Sequence, residues 1–475
     1  MAYLALKNKY FWGLCAVAAI AAVLSFYSPS GHFTATPKFW RDEAIPFEIS
    51  RTFLELGKLD VVVAPNEVDG RPYLTHATGF PLTIPLAGFM WLFGVGVAQA
   101  RFFMVLWILA ALVALYTVLK SFFGSDVALW GTLLVSTFAP FYANGRTTTG
   151  EIPGFLFLLV GLWLLYKRER YILSGMFFAL AAVTKPSVFL LVLPAVALEF
   201  IVSERARNIL PRALRFALGA VTVFLFWVWI ILPSPFSFES WRAMIDLYQH
   251  PFNEPSLISR FLVAIPEMLT HTTILYVIAL AAGLLFAYRK GVFTSHQSRL
   301  ALFVFLYTAA AAVYFLRSPG WLRYLLISEL LMLSLLYPAL SGIFKKRTWI
   351  AIVAVVSLAA LHLINFFLFS DIQSGTTSID AARFINDELL AKDPAATIGV
   401  IHMPTVAPLL PPGRKYQIAT IGGRETYGAH PLSLPPKKLP TYVIGFNGEY
   451  GQTLEQFYTP LVETPGGYVV YKKIP

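Results

Sequence analysis

The stretch FPLTIPLAGFMWLFGVGVA, Phe80–Ala98, is uncharged, apolar and long enough to be taken for a membrane span. Whether it crosses decides the fold, because every later segment changes sides if it does. Basic residues recur in five clusters between apolar runs: Lys7/Lys9, Lys167/Arg168/Arg170, Arg205/Arg207/Arg212/Arg215, Arg289/Lys290/Arg299 and Lys345/Lys346/Arg347. The positive-inside rule assigns such clusters to the cytoplasm. They agree on one side only if Phe80–Ala98 does not cross. Pro81, Pro85, Gly88, Gly94 and Gly96 also disfavour a straight helix there. The stretch is therefore read as a juxtamembrane segment at the outer interface.

Eleven spans remain, at about 10–28, 101–120, 126–143, 151–166, 170–184, 187–203, 213–233, 273–289, 298–316, 321–341 and 348–369. The amino terminus then lies inside and the carboxy terminus outside. The composition agrees. With 475 residues and 57% AVILMFWYC, and a mean hydropathy of +0.65, a soluble chain could not bury its apolar surface. The net charge of +11 sits in the topological clusters, so it speaks for membrane orientation and not for nucleic acid. Cys15, the single cysteine, lies inside the first apolar run, which rules out an intrachain disulfide framework. No small-residue cleavage site follows that run, which reads as a retained helix.

The expected fold is thus a polytopic all-α membrane domain over residues 1–370, with juxtamembrane helices in a first outer loop of about 29–99. A small extracytoplasmic α/β domain follows over 371–475. Its helix-like piece is Ile379–Leu390, and its strand-like pieces are TIGVIHM, TYVIGF and GYVVYKK.

The outer loops collect ionisable residues next to apolar segments, where such groups are costly and are candidates for function. In FWRDEAIPFE, Phe39–Glu48, Asp42 and Glu43 are adjacent. Behind them Ile45, Ile49, Phe53 and Leu56 recur at helical spacing, with Glu48, Arg51, Glu55 and Lys58 between them. This reads as an amphipathic helix on the membrane surface, with Pro46 in its first turn. Asp42 fits an N-cap and Glu43 a charge favoured by the helix dipole. Asp42 equally fits a general base at the mouth of a cavity, and a cap would fix its carboxylate for that task.

The second outer loop, YANGRTTTGE, holds Arg146 and Glu151, with glycines at 145 and 150 to free the backbone. Glu151 fits either a helix-terminus charge or a functional acid. Lys185 in VTKPSVF runs against the positive-inside trend, so it either snorkels or meets an anionic lipid headgroup or substrate. Arg317 and Arg323 in LRSPGWLRYLL fit phosphate binding or ion pairing with a buried acid. Arg71 and His76 lie in GRPYLTHATGFP, where His76 fits a phosphate or metal ligand or a surface histidine. No His/Cys/Asp/Glu set has metal-ligand spacing, and no Gly-rich phosphate loop is present. Cations above an apolar interior suit a lipid phosphate better than a soluble nucleotide.

These motifs, taken in order, resemble the GT-C superfamily of membrane glycosyltransferases, in the branch of the protein O-mannosyltransferases and aminoarabinose–lipid A transferases. The matching features are RDEA…R in the long first loop, RPYLTHATGFPL, LFGVGVAQARFF, GRTTTGE, TKPS and LRYLL, spread over residues 1–370. The resemblance implies a polyprenyl-phosphate-linked sugar donor, a lipid, glycan or protein acceptor, and inversion at the anomeric carbon. It implies Asp42 as general base with Glu43 supporting it. Glu151 takes the place of a second-loop acid that is usually aspartate. Lys185 and Arg323 would contact the donor phosphate, with Arg317 and Arg146 as further cations. His76 replaces a family His or Lys, although the usual Pro-Pro after it is Ala77-Thr78 here. A divalent metal at Glu151 or His76 is compatible with the pattern but not required by it. The implied setting is a bacterial inner membrane with the active site outside. The rival readings are a transporter or flippase of lipid-linked sugars, a polysaccharide polymerase or ligase, and a sensor with an outer ligand-binding domain. A transporter would place its charges along a midplane path with internal repeats, and neither is seen.

Overall fold

The computed structural model describes residues 2–29, 31–203, 206–249, 272–317, 322–369, 373–421, 425–435, 438–446, 454, 456–464 and 467–474. Arg205 and most of the stretch between the expected spans at 213–233 and 273–289 lie outside these residues, as does the side chain of Arg317. The chain divides into two compact units. One comprises Met1–Tyr27, Met104–Phe226 and Glu254–Asp371, and the other Ser28–Phe103, Trp227–Asn253 and Ile372–Pro475. The first outer loop thus groups with the carboxy-terminal region and not with the helices that flank it.

The first unit is helical. It contains α1 (Ala2–Phe26), α5 (Ser125–Ser136), α6 (Ala139–Gly145), α7 (Glu151–Tyr166), α8 (Tyr171–Thr184), α9 (Pro186–Phe189) and α10 (Val192–Ser203). It also contains α13 (Thr272–Arg289), α14 (Ser295–Arg317), α15 (Leu326–Ile343) and α16 (Thr348–Ile364), and most of α4 (Val97–Phe123) and α11 (Ala206–Ile231). Among the described residues six helical stretches are long and apolar enough to cross a membrane: Val97–Phe123, Pro186–Ser203, Ile209–Ile231, Ser295–Leu316, Leu322–Ile343 and Thr348–Phe369. The other five expected spans fall on apolar helices of 10–17 residues. Two differences from the expected spans have local causes. The span at 126–143 breaks at Thr137–Phe138, where Pro140 begins a new helix, and the one at 187–203 breaks after the short α9. Small residues let helices close tightly: a Cβ on Gly175 of α8 would lie 2.0 Å from the Phe216 carbonyl oxygen of α11, and one on Gly219 would lie 1.9 Å from that of Ile172. Glu199 and Arg299 form a bidentate pair at 2.7 and 3.2 Å, tying α10 to α14.

In the second unit α2 (Arg41–Leu56) packs against α3 (Phe80–Phe93). At 1.5 Å per residue α3 is about 21 Å long, the same length as α8, and Pro85 lies inside it. Its end exposes Trp91, Leu92 and Phe93, an apolar tip suited to a membrane interface. One side of α2, Ala44 and Phe47, meets Leu86, Met90, Val97 and Ala100. The other, Ile45 and Ile49, meets Val61, Leu74, Ala419 and Tyr427. The expected surface-lying amphipathic helix is therefore corrected. Protein covers its apolar residues, and Glu48 on its expected polar face is buried.

The carboxy-terminal sheet has six strands: β3 (Ile398–Ile401), β4 (Lys415–Ile421), β5 (Glu425–Gly428), β6 (Tyr442–Phe446), β7 (Tyr458–Thr464) and β8 (Tyr468–Lys473). Their order is β5-β4-β3-β6-β8-β7. The central β3 pairs in parallel with β4 and β6, and the outer pairs are antiparallel. All four residues of β3 are buried, as expected of a strand covered on both faces. One face packs on α17 (Thr377–Phe384) through Ile398, Val400, Ile444 and Val470. The hairpin of β1 (Val62–Ala64) and β2 (Glu67–Val68) lies between α2 and this sheet in sequence and packs against β4.

Candidate active site

The candidate residues of the second unit are built around the first turn of α2. Trp40 is its N-cap, extended at φ −129° and ψ 171°, with no side-chain cap bond. Asp42 is therefore not the N-cap, because Arg41 already starts the helix. It is the second helical residue and is half-buried. Asp42 and Glu43 both stand in the first turn, where the helix dipole favours negative charge.

Glu43 is committed to Arg101. The guanidinium donates from Nε to Oε1 at 2.9 Å and from Nη2 to Oε2 at 2.8 Å, and both side chains are buried. The same guanidinium donates to the carbonyls of Phe33 (3.2 Å), Thr34 (2.7 Å) and Pro37 (2.6 Å). Arg101 thus holds the start of α2 and the segment leading into it from its own place on α4. The Arg101–Glu43 pair thereby fixes the first turn of α2, on which Asp42 also stands. Arg41, next to Asp42, donates to the Thr420 carbonyl of β4.

Further along α2, Glu48 Oε1 accepts from Lys415 Nζ at 2.6 Å, Gln417 Nε2 at 2.8 Å and the Val62 amide at 3.2 Å. Burial pushes the Lys415 ammonium below its usual range, and the Glu48 carboxylate opposes that shift. These contacts fasten α2 to β4 and the hairpin.

Arg71 forms a bidentate pair with Asp69 at 2.9 and 3.1 Å and donates to the Thr426 carbonyl at 2.8 Å. His76 is fully buried. Its Nε2 lies 2.8 Å from the Leu59 carbonyl, which can only accept, so that nitrogen carries the proton. Nδ1 has no hydrogen-bond partner among the described residues. Burial lowers its pKa to about 4, so the ring is neutral at pH 7 and supplies no charge for a phosphate. The sign of the pH dependence follows. The native state binds this proton less readily than the unfolded chain, so the contribution of His76 to stability is complete above about pH 6.5 and is lost as pH falls toward 4. Replacing His76 by Gln keeps a donor for Leu59. His76→Gln is expected to leave the Kd for a polyprenyl-phosphate ligand within about threefold, read by titration of the purified protein. Among the described residues no group of three His, Cys, Asp or Glu side chains is placed to hold a metal ion.

In the first unit, α6 leads into a tight loop in which Thr147, Thr148 and Thr149 are buried. Gly150 follows at φ +91°, a conformation that a side chain would strain, and Glu151 begins α7. Glu151 is fully buried. Lys185 Nζ lies 4.0 Å from its Oε1, and neither carboxylate oxygen has a hydrogen-bond partner among the described residues. Lys185 is buried at the break between α8 and α9, set in an extended backbone by Pro186 behind it. Glu151 and Lys185 form a buried acid–base pair at the limit of ion-pair distance. Arg146, also buried, donates to the Tyr27 carbonyl at the end of α1. Arg323 stands on the turn before α15, with its guanidinium 5.7 Å from the centre of the Tyr324 ring.

Three features were missed from sequence. Arg101 lies inside a quoted motif, LFGVGVAQARFF, but its partner is 58 residues away. His362 on α16 bonds Thr137 at 3.2 Å and Tyr276 at 3.0 Å, and Glu329 on α15 is buried. The signal for the last two was present, since each is an ionisable residue within an apolar run.

Residues 81–231 match the family model described as dolichyl-phosphate-mannose-protein mannosyltransferase. No curated protein matches the sequence. Among solved structures, ArnT from Cupriavidus metallidurans in the apo state aligns with 100% of this chain and 99% of its own, at 13% identity and a TM-score of 0.66. The same protein bound to undecaprenyl phosphate aligns with 97% and 98%, at 14% identity and a TM-score of 0.65. The oligosaccharyltransferase AglB from Archaeoglobus fulgidus, in complex with an inhibitory peptide and a dolichol-phosphate, aligns with 99% and 75%, at 13% identity and a TM-score of 0.57. The chain thus has, among the described residues, six helical stretches long and apolar enough to cross a membrane, shares the fold of ArnT along its length, and matches the mannosyltransferase family model over residues 81–231.

Proposed function

We propose that the protein transfers a sugar from a polyprenyl-phosphate donor to a hydroxyl acceptor on the outer face of the membrane, with inversion. The observation that carries the reading is the RDE sequence on the first turn of α2, braced by Arg101, in a chain that shares the ArnT fold from end to end. A similar structure holds undecaprenyl phosphate, which supports a lipid-phosphate donor. In the proposed step the acceptor oxygen attacks the anomeric carbon, its proton passes to the Asp42 carboxylate, and the bond from that carbon to the phosphate oxygen breaks. Negative charge grows on the departing polyprenyl phosphate, so cations are required there. Lys185 and Arg323 are assigned that role, with Arg146 and Arg317 as further candidates. Glu151 orients Lys185 and remains the candidate for contact with the acceptor. Glu43 and Arg71 position their segments.

Lys185→Gln is expected to weaken the Kd for polyprenyl phosphate about 10- to 100-fold, the loss of one charge-assisted contact, read by titration of the purified protein. An unchanged Kd removes Lys185 from the donor site. The function is tested by mass spectrometry of envelope glycans, glycolipids and proteins from cells with and without the gene. A sugar modification that disappears with the gene supports the reading, and an unchanged envelope under expressing conditions contradicts it.

A further inference from the structure

The second unit carries a cleft lined by none of the residues assigned to the transfer reaction. It is a shallow, open cleft of about 430 Å³. It opens between α2, the segment after α17 and the turn before β4. That segment, Ile385–Leu390, is a π-helix, a wide turn often found at functional positions, and the Ala391 amide bonds the Asn386 carbonyl across it at 3.1 Å.

Among the described residues two guanidinium groups line the cleft, and no carboxylate does. Arg51 is occupied: it pairs with Glu55 at 2.7 Å and donates to the carbonyls of Pro408 and Leu410 at 2.9 Å each. Arg414 is different. Its side chain is half-buried and has no hydrogen-bond or ion-pair partner among the described residues. Its backbone is fixed by a 3-10 turn, Pro412–Arg414, entered from Pro411, and the next residue is the buried Lys415. Asn386 donates through Nδ2 to the Leu409 carbonyl at 3.3 Å, while its Oδ1 is buried with no partner. Leu390, Leu409 and Pro411 supply apolar wall. A fixed fork of donors suits a planar or tetrahedral oxyanion. An unsatisfied amide oxygen calls for a hydroxyl donor, and the apolar wall accepts the C–H face of a ring.

We propose that this cleft is a second, non-catalytic ligand site for an anionic saccharide, a hydroxylated ring bearing phosphate or carboxylate. Arg414 pairs with the oxyanion and Asn386 Oδ1 accepts from a ring hydroxyl. The site is independent of Asp42 and of the donor cations, so its occupancy does not depend on transfer. The test is calorimetric titration of the full-length protein with glucose 1-phosphate, glucuronate and glucose. Either or both anions should bind, the stronger one naming the phosphate or carboxylate source, and glucose should bind at least about tenfold more weakly. Arg414→Gln should weaken the anion at least about tenfold while sugar transfer is retained. Arg414→Lys, which keeps the charge and loses the fork, should fall between, and it serves as the variant if Arg414→Gln does not fold. The proposal is overturned if neither anion binds, if glucose binds as well as they do, or if the Arg414 variants bind like wild type.

Discussion

Asp42→Asn is expected to lower the rate of sugar transfer by about 10²- to 10⁴-fold, the usual contribution of a positioned general base. The substitution keeps the size and the planar shape of the side chain and replaces the charged carboxylate by a neutral amide that cannot take the proton. Its effect should therefore fall on kcat, with the KM for the donor within a few fold of wild type. Much of the bracing of α2 comes from residues other than Asp42. Arg101, Glu43, Glu48 and Lys415 hold the helix through their own bonds, so the thermal midpoint should move little. Turnover near wild type in a well-folded Asp42→Asn protein would remove the base assignment. A protein that has lost both turnover and its thermal transition would be read with Asp42→Glu, which retains a base and should recover part of the rate.

The largest effect on stability is expected from Arg101→Ala. It removes a bidentate pair and three bonds to carbonyls, and it leaves Glu43 buried without its cation. Breaking a buried pair from one side costs about 3–5 kcal/mol. Thermal unfolding in detergent should show it as a clear fall in midpoint relative to wild type. Removing both charges in Arg101→Met with Glu43→Leu should recover much of the loss, because no stranded charge remains. If the single variant unfolds at the wild-type temperature, the pair does not brace α2 and Glu43 is open to another role.

The two results come from different levels of legibility. The start of α2 and its acids were readable because helix period, Pro46 and the adjacent carboxylates are local. The non-crossing reading of Phe80–Ala98 came from charge parity and not from length, since the 14-residue α3 is as long as α8, which the same reading counts as a span. Three of the six sheet strands were visible as apolar runs, corresponding to β3, β6 and β8. β4 was not, because its inward residues include Lys415 and Gln417, which are buried only because Glu48 meets them from 367 and 369 residues away. The polar face assigned to α2 failed for the same reason. A carboxylate that looks solvated in sequence is buried when a distant strand supplies its cation. His76 shows the limit of motif transfer. The residue type suits phosphate, but burial leaves the ring neutral.

The most direct measurement is transfer itself, by purified protein in lipid nanodiscs given a radiolabelled polyprenyl-phosphate sugar of known anomeric configuration and an extract of envelope acceptors. The account predicts that label moves into an acceptor, that free polyprenyl phosphate appears in equal amount, and that the new linkage has the opposite anomeric configuration by NMR. Label that remains on the lipid, or that enters the acceptor with its configuration retained, contradicts it.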